Sequence, residues 1–159
     1  MVPRKPIEIM VSVPVAPRRF VMFVPELPPS ALSPNGGHGN RYEKAEAIRW
    51  FRGIIATRAA EAMRRDDCAP FARARVGVVA YVYWNRGGRK PYQVSDRYRP
   101  LDVPNLVAAL KPLYDGLQDA RIIPGDTVHH MALGHHDIVE VRDYAEEGLA
   151  VTIEELPPL

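Results

Sequence analysis

Two periods of hydrophobic and polar positions organise this chain. From Tyr42 to Arg65, "YEKAEAIRWFRGIIATRAAEAMRR" spaces Ile48, Phe51, Ile55, Ala59 and Met63 three or four residues apart, the stripe of an amphipathic helix. Its other faces carry Arg49, Arg52, Arg58 and Arg65. The period falls to two in "ARARVGVVAYVYW", Ala72 to Trp84, which predicts a long strand rich in Val and Tyr. Ile7 to Val13 and Phe20 to Val24 read as shorter strands around a proline break, the first a possible added edge strand. Between strand and helix, "PELPPSALSPNGGHGN" is too dense in Pro, Ser, Gly and Asn to be anything but a loop, and it is long enough to be functional.

A second helical pattern opens at Asp102, where Pro104 suits a first turn and puts Asp102 or Val103 near the N-cap. Leu106, Ala109, Leu110, Leu113 and Leu117 form its apolar stripe. Pro112 inside that stripe predicts a kink or a restart, Gly116 weakens the last turns, and "IIPGD" reads as a short strand followed by a turn that exposes Asp126. Two further strand-like runs follow, "HHMALGHHDIVEVRDY" with a hairpin turn between its histidine pairs, and "EGLAVTIEEL". The order is strands, helix, strand, helix, strands, with no repeat and no second core. That predicts a single compact domain of the α/β (α+β) class, a mixed β-sheet with two main helices packed on it.

Composition adds limits more than content. A chain of 159 residues with 47% hydrophobic residues can bury an ordinary core. No run is apolar for long enough to span a bilayer, and Glu8 and the prolines interrupt any signal-like stretch, so a cytoplasmic protein is expected. The single cysteine, Cys68, excludes an intrachain disulfide. Net charge is only +2, yet 18 of the 21 Lys and Arg precede Asp102 while 11 of the 19 Asp and Glu lie from Asp102 onward. Such polarity suits a polyanion beside a cation site, and equally a solvated surface of mixed charge.

The acids of the second helix raise the sharper question. If the chain folds Asp102, Asp115 and Asp126 together, their repulsion calls for a cation, and hard oxygen ligands select Mg²⁺ or Mn²⁺. A bound cation would lower the pKa of its water and neutralise charge growing on a phosphate, which Lys111 would also stabilise. A purely structural alternative assigns Asp102 to capping, Asp115 to an i,i+4 pair with Lys111, and Asp126 to a turn.

In "NRGGRKPYQVSDRYRP", Arg86, Arg89, Lys90, Arg97 and Arg99 are interleaved with Tyr92 and Tyr98. This mixture can neutralise phosphates and stack on exposed bases, or simply be a solvated loop. His129-His130 and His135-His136 invite a zinc reading, but neighbours on a strand face opposite ways, so exposed strand histidines are favoured. Trp50 and Trp84 are expected to pack.

The block Asp102, Asn105-Leu106, Lys111, Asp115-Gly116-Leu117 and Gly125-Asp126 resembles the signature of the RusA family of Holliday junction resolvases, in the longer spacing associated with phage-type members. "LPPSALSPNGGHGNR" is similar to the family's polar N-terminal loop, with Asn35 at its usual asparagine, and the likeness runs from about Phe20 to Leu156. It implies a RusA-like endonuclease domain over residues 19–156, preceded by an extension over residues 1–18. The implied protein is a homodimer that nicks opposed strands of four-way DNA junctions symmetrically, with Mg²⁺ or Mn²⁺, in recombination and repair. By the same resemblance Asp102 and Asp126 are metal ligands, Asp115 is a third acid and Lys111 is the active-site lysine. Asn35, Arg41, Arg86, Arg89, Lys90, Arg97, Arg99 and Asn105 are the candidate DNA contacts. Many members carry aspartates where this chain has Pro104 and Gly125. Those departures keep a branched-DNA binder that does not cleave as the alternative; a protein with no nucleic-acid partner is a third reading.

Overall fold

The computed structural model describes residues 15–32, 40–84 and 102–159. The expected strand at Ile7 to Val13, Asn35 and the basic loop with Arg86, Arg89, Lys90, Arg97 and Arg99 lie outside those residues. Chain order is β1 (Arg19–Val24), a 3₁₀ turn (Ser30–Leu32), α1 (Arg41–Arg65), β2 (Ala74–Val82), α2 (Val103–Ala109), α3 (Lys111–Asp119), β3 (Met131–Glu140), a second 3₁₀ turn (Tyr144–Glu146) and β4 (Gly148–Glu155). The single small α+β domain expected from the patterning is what forms.

Among the described residues, one four-stranded mixed sheet runs in the order β1-β4-β2-β3. β4 is antiparallel to both β1 and β2, whereas β2 and β3 are parallel. A parallel pair needs a crossover, and α2 and α3 supply it. Strict alternation makes β1 and β2 one-sided: Phe20, Met22 and Val24, then Ala74, Val76, Val78, Ala80 and Val82, are buried while Arg19, Val21, Phe23 and Arg75 are exposed. The buried face forms one core with Phe51, Ile55 and Ala59 of α1 and with Leu106, Ala109, Leu110, Leu113 and Leu117 of the second helical pattern. Both apolar stripes face inward as their spacing predicted.

Asn40 starts α1 by accepting the Tyr42 and Glu43 amides on its side-chain oxygen at 3.0 and 2.9 Å. Trp50, expected to pack in a core or a dimer interface, is not part of this chain's core and is 53% exposed. It is the neighbour of the core residue Phe51, and one step along a helix turns a side chain by about 100°. Trp84 is partly buried against the core, as expected. None of the described helices is long and apolar enough to cross a membrane.

Two expected elements do not form. Ile122 and Ile123 are fully buried but in no strand. The Ile122 carbonyl accepts the Phe71 amide at 2.8 Å, so the segment is tied to the approach to β2 rather than to the sheet. No hairpin separates the histidine pairs either, because β3 runs unbroken from Met131 to Glu140 along β2, and His129 and His130 lie in the turn before it. The extended parallel ladder with β2 outweighs the turn tendency of Gly134.

Candidate functional site

Pro112 restarts the helix. α2 ends at Ala109, Leu110 sits between, and α3 begins at Lys111 with proline in its first turn, where the missing amide is not needed. Lys111 thereby lies at the head of α3 and Asp115 one turn further on. Their side chains meet at 2.5 Å as an i,i+4 pair.

The far end of α3 brings in the next acid. Ala120 caps the helix, Arg121 takes the left-handed conformation at φ 61°, and the Arg121 and Ile122 amides bond back to the Gln118 and Leu117 carbonyls at 2.9 and 3.2 Å. Those paired bonds are the Schellman motif, sealed by the fully buried Leu117 and Ile122. The chain then reverses, and the Asp126 carboxylate also bonds the Lys111 ammonium. One ammonium thus joins two carboxylates eleven residues apart in sequence.

These bonds move the titration of Lys111 and of Asp126 in opposite directions. Asp115 and Asp126 hold the Lys111 ammonium above the usual lysine range, and the bond from Lys111 holds the Asp126 carboxyl below the usual aspartate range. The side chains remain open to solvent to different degrees: Lys111 61%, Asp126 33% and Asp115 21%. The lysine is the most accessible of the three.

Asp102 is engaged at the head of α2. It is the N-cap of α2, with Oδ1 accepting the Asn105 amide at 2.9 Å and Oδ2 accepting the Asn105 side-chain amide at 2.7 Å. Asn105, a candidate DNA contact, is engaged there. Among the described residues no group of three or more His, Cys, Asp or Glu side chains is arranged to hold a metal. Asp115 and Asp126 nevertheless fit a hard divalent cation: both donors are carboxylate oxygens already converging on a positive charge, and Mg²⁺ is commonly held by one or two carboxylates with water and phosphate completing the shell. Asp102 and Asp115 also perform their simpler roles, as cap and as i,i+4 ion pair.

The cations of α1 divide between pairing and exposure. Arg52 binds Asp119 with both arms of its fork, Nε to Oδ2 at 2.5 Å and Nη2 to Oδ1 at 2.7 Å, and Asp115 lies close enough to add to its field. Asp119 is thereby occupied. Arg58 pairs with Glu26 at 3.1 Å and Arg65 with Asp66 at 2.9 Å, whereas Arg41 and Arg49 are exposed.

One polar pair escaped the sequence reading. The Tyr114 hydroxyl lies 2.7 Å from His136 Nε2, and His136 Nδ1 lies 2.9 Å from the Gly134 carbonyl. A carbonyl only accepts, so Nδ1 carries the hydrogen of that bond. Burial pushes the Tyr114 hydroxyl far above the ordinary tyrosine range, so it keeps its proton. The pairing depends on a register shift between Val76 and Val78 that sets His136 opposite Val78, on the covered side, and leaves His135 77% exposed. Tyr114 is readable as part of the apolar stripe, but the shift is not.

The sequence matches no protein-family model and no curated protein.

Proposed function

We propose that this chain is a RusA-like endonuclease that uses Mg²⁺ or Mn²⁺ to cut four-way DNA junctions as a cytoplasmic homodimer. The observation that carries this reading is the convergence of Asp115 and Asp126, from a helix and from the turn after it, on Lys111. The order of those residues together with Asp102 and Asn105-Leu106 is the order that the family resemblance rests on.

A divalent cation at such a pair supplies a water of lowered pKa and charge to offset that of the phosphate. Asp115 and Asp126 would hold the cation and orient its water. Lys111, long and accessible, would meet the charge that develops on the phosphate. The basic residues before Asp102 would bear the DNA backbone, and two copies would provide the two cuts that a symmetric junction needs.

The test is cleavage of a synthetic four-way junction in Mg²⁺ and in Mn²⁺. The wild type is expected to cut, and Asp126→Asn to bind the junction without cutting it. Equal cutting by both would exclude the assigned site.

The engagement of Asp102 by Asn105 favours the second reading, a protein that recognises branched DNA without cleaving it. Salt-sensitive junction binding with no cutting under any divalent cation, by wild type and variant alike, is the outcome that selects it.

A further inference from the structure

Lys111 bridges the two carboxylates that the proposed cation would need. Its ammonium meets Asp115 Oδ1 at 2.5 Å and also meets Asp126 Oδ2, so a single positive charge bridges the two carboxylates. We infer that Lys111 is the resident counter-ion of this carboxylate pair, and that its ammonium and a divalent cation exclude one another from it. The inference rests on the preceding reading of Asp115 and Asp126 as a cation site.

Three observations support exclusion rather than coexistence. The oxygens that touch the ammonium belong to the same two carboxylates that a small cation needs, and like charges within about 4 Å repel strongly even near the surface. Lys111 also occupies the head of α3, a helix of nine residues, where the macrodipole disfavours a positive charge, so the two acids are what hold it there. Finally, the lysine is the freest member of the cluster, and its four-carbon stem can swing the charge aside while the acids stay in place. Lys111 therefore gains a free charge when its acids take another partner. A phosphate drawn to that charge and a cation drawn to the acids would assist each other.

The test is Mn²⁺ titration of the full chain by calorimetry, without DNA. Lys111→Met, which keeps the stem and removes the charge, is expected to bind Mn²⁺ at least about tenfold more tightly than wild type. Lys111→Arg should stay near wild type, and adding Asp126→Asn to Lys111→Met should abolish the gain. Lys111→Gln gives the same reading should the methionine variant fold poorly. If Lys111→Met binds no more tightly than wild type and Asp126→Asn abolishes binding in both, the counter-ion role is overturned while the cation site stands. Absence of Mn²⁺ binding in every variant overturns both.

Discussion

Arg52 of α1 clasps Asp119 of α3 through two parallel hydrogen bonds of 2.5 and 2.7 Å. The fork ties the long helix to the end of the short one that carries Lys111 and Asp115. Both side chains are about two-fifths exposed, 44% and 40%, so the pair is a clamp more than a large source of stability. Arg52→Met is expected to lower unfolding free energy by about 0.5–1 kcal/mol, read by urea denaturation. A loss several times larger would mean that the clamp holds α3 in place.

Gly116 makes the same helix contact possible from inside. A Cβ at this position would lie 2.7 Å from the Arg52 carbonyl oxygen and 2.8 Å from Ile55 Cβ, both on α1. The glycine of the Asp-Gly-Leu element is therefore a packing requirement. Gly116→Ala is expected to destabilise the fold by about 1–3 kcal/mol in chemical denaturation, despite alanine's better helix propensity.

Arg121 carries the reversal after α3 in a conformation that suits glycine. Arg121→Gly should relieve left-handed strain that exceeds the added chain entropy, raising stability by about 0.5–1 kcal/mol. The same denaturation series reads it. A decrease would show that the arginine side chain does more than cap the turn.

Asp119 and Asp126 both release their protons more readily in the fold than outside it, because Arg52 and Lys111 bond their ionised forms. The folded chain then binds fewer protons than the unfolded chain between the lowered pKa values and the ordinary 3.8. Their contribution is complete above that ordinary value and is lost as pH falls through the lowered ones. The double variant Asp119→Asn/Asp126→Asn should show a flatter decline of melting temperature than wild type below about pH 4. Parallel declines would mean that neither bond contributes to folding.

Much of the fold and part of the site were legible in the residues. The stripes of Ile48, Phe51 and Ile55 and of Leu106, Leu110 and Leu113 identified the helices and their buried sides, because burial alone imposes that spacing. Pro112 announced the restart that puts Lys111 at a helix head, and the i,i+4 spacing of Lys111 and Asp115 announced their pair. Ile122 and Ile123 misled because a short apolar run looks the same in a strand as in a buried turn. The hairpin expected between the histidine pairs does not form because a strand held by a neighbour runs straight through a glycine.

Periodicity, caps and proline positions act over a few residues, so the order of amino acids by itself determined most of the elements, their inward faces, and a helix start at Asp102 or Val103. The meeting of Asp126 with Lys111, the side of the sheet that His136 faces, and the clasp of Arg52 on Asp119 were decided only by the tertiary structure. Each depends on a long-range fit: the left-handed turn at Arg121, the register shift beside Gly77, and the close approach of α1 to Gly116. Such fits are settled by packing between distant segments, where a displacement of one residue or one methyl group changes which side chains meet.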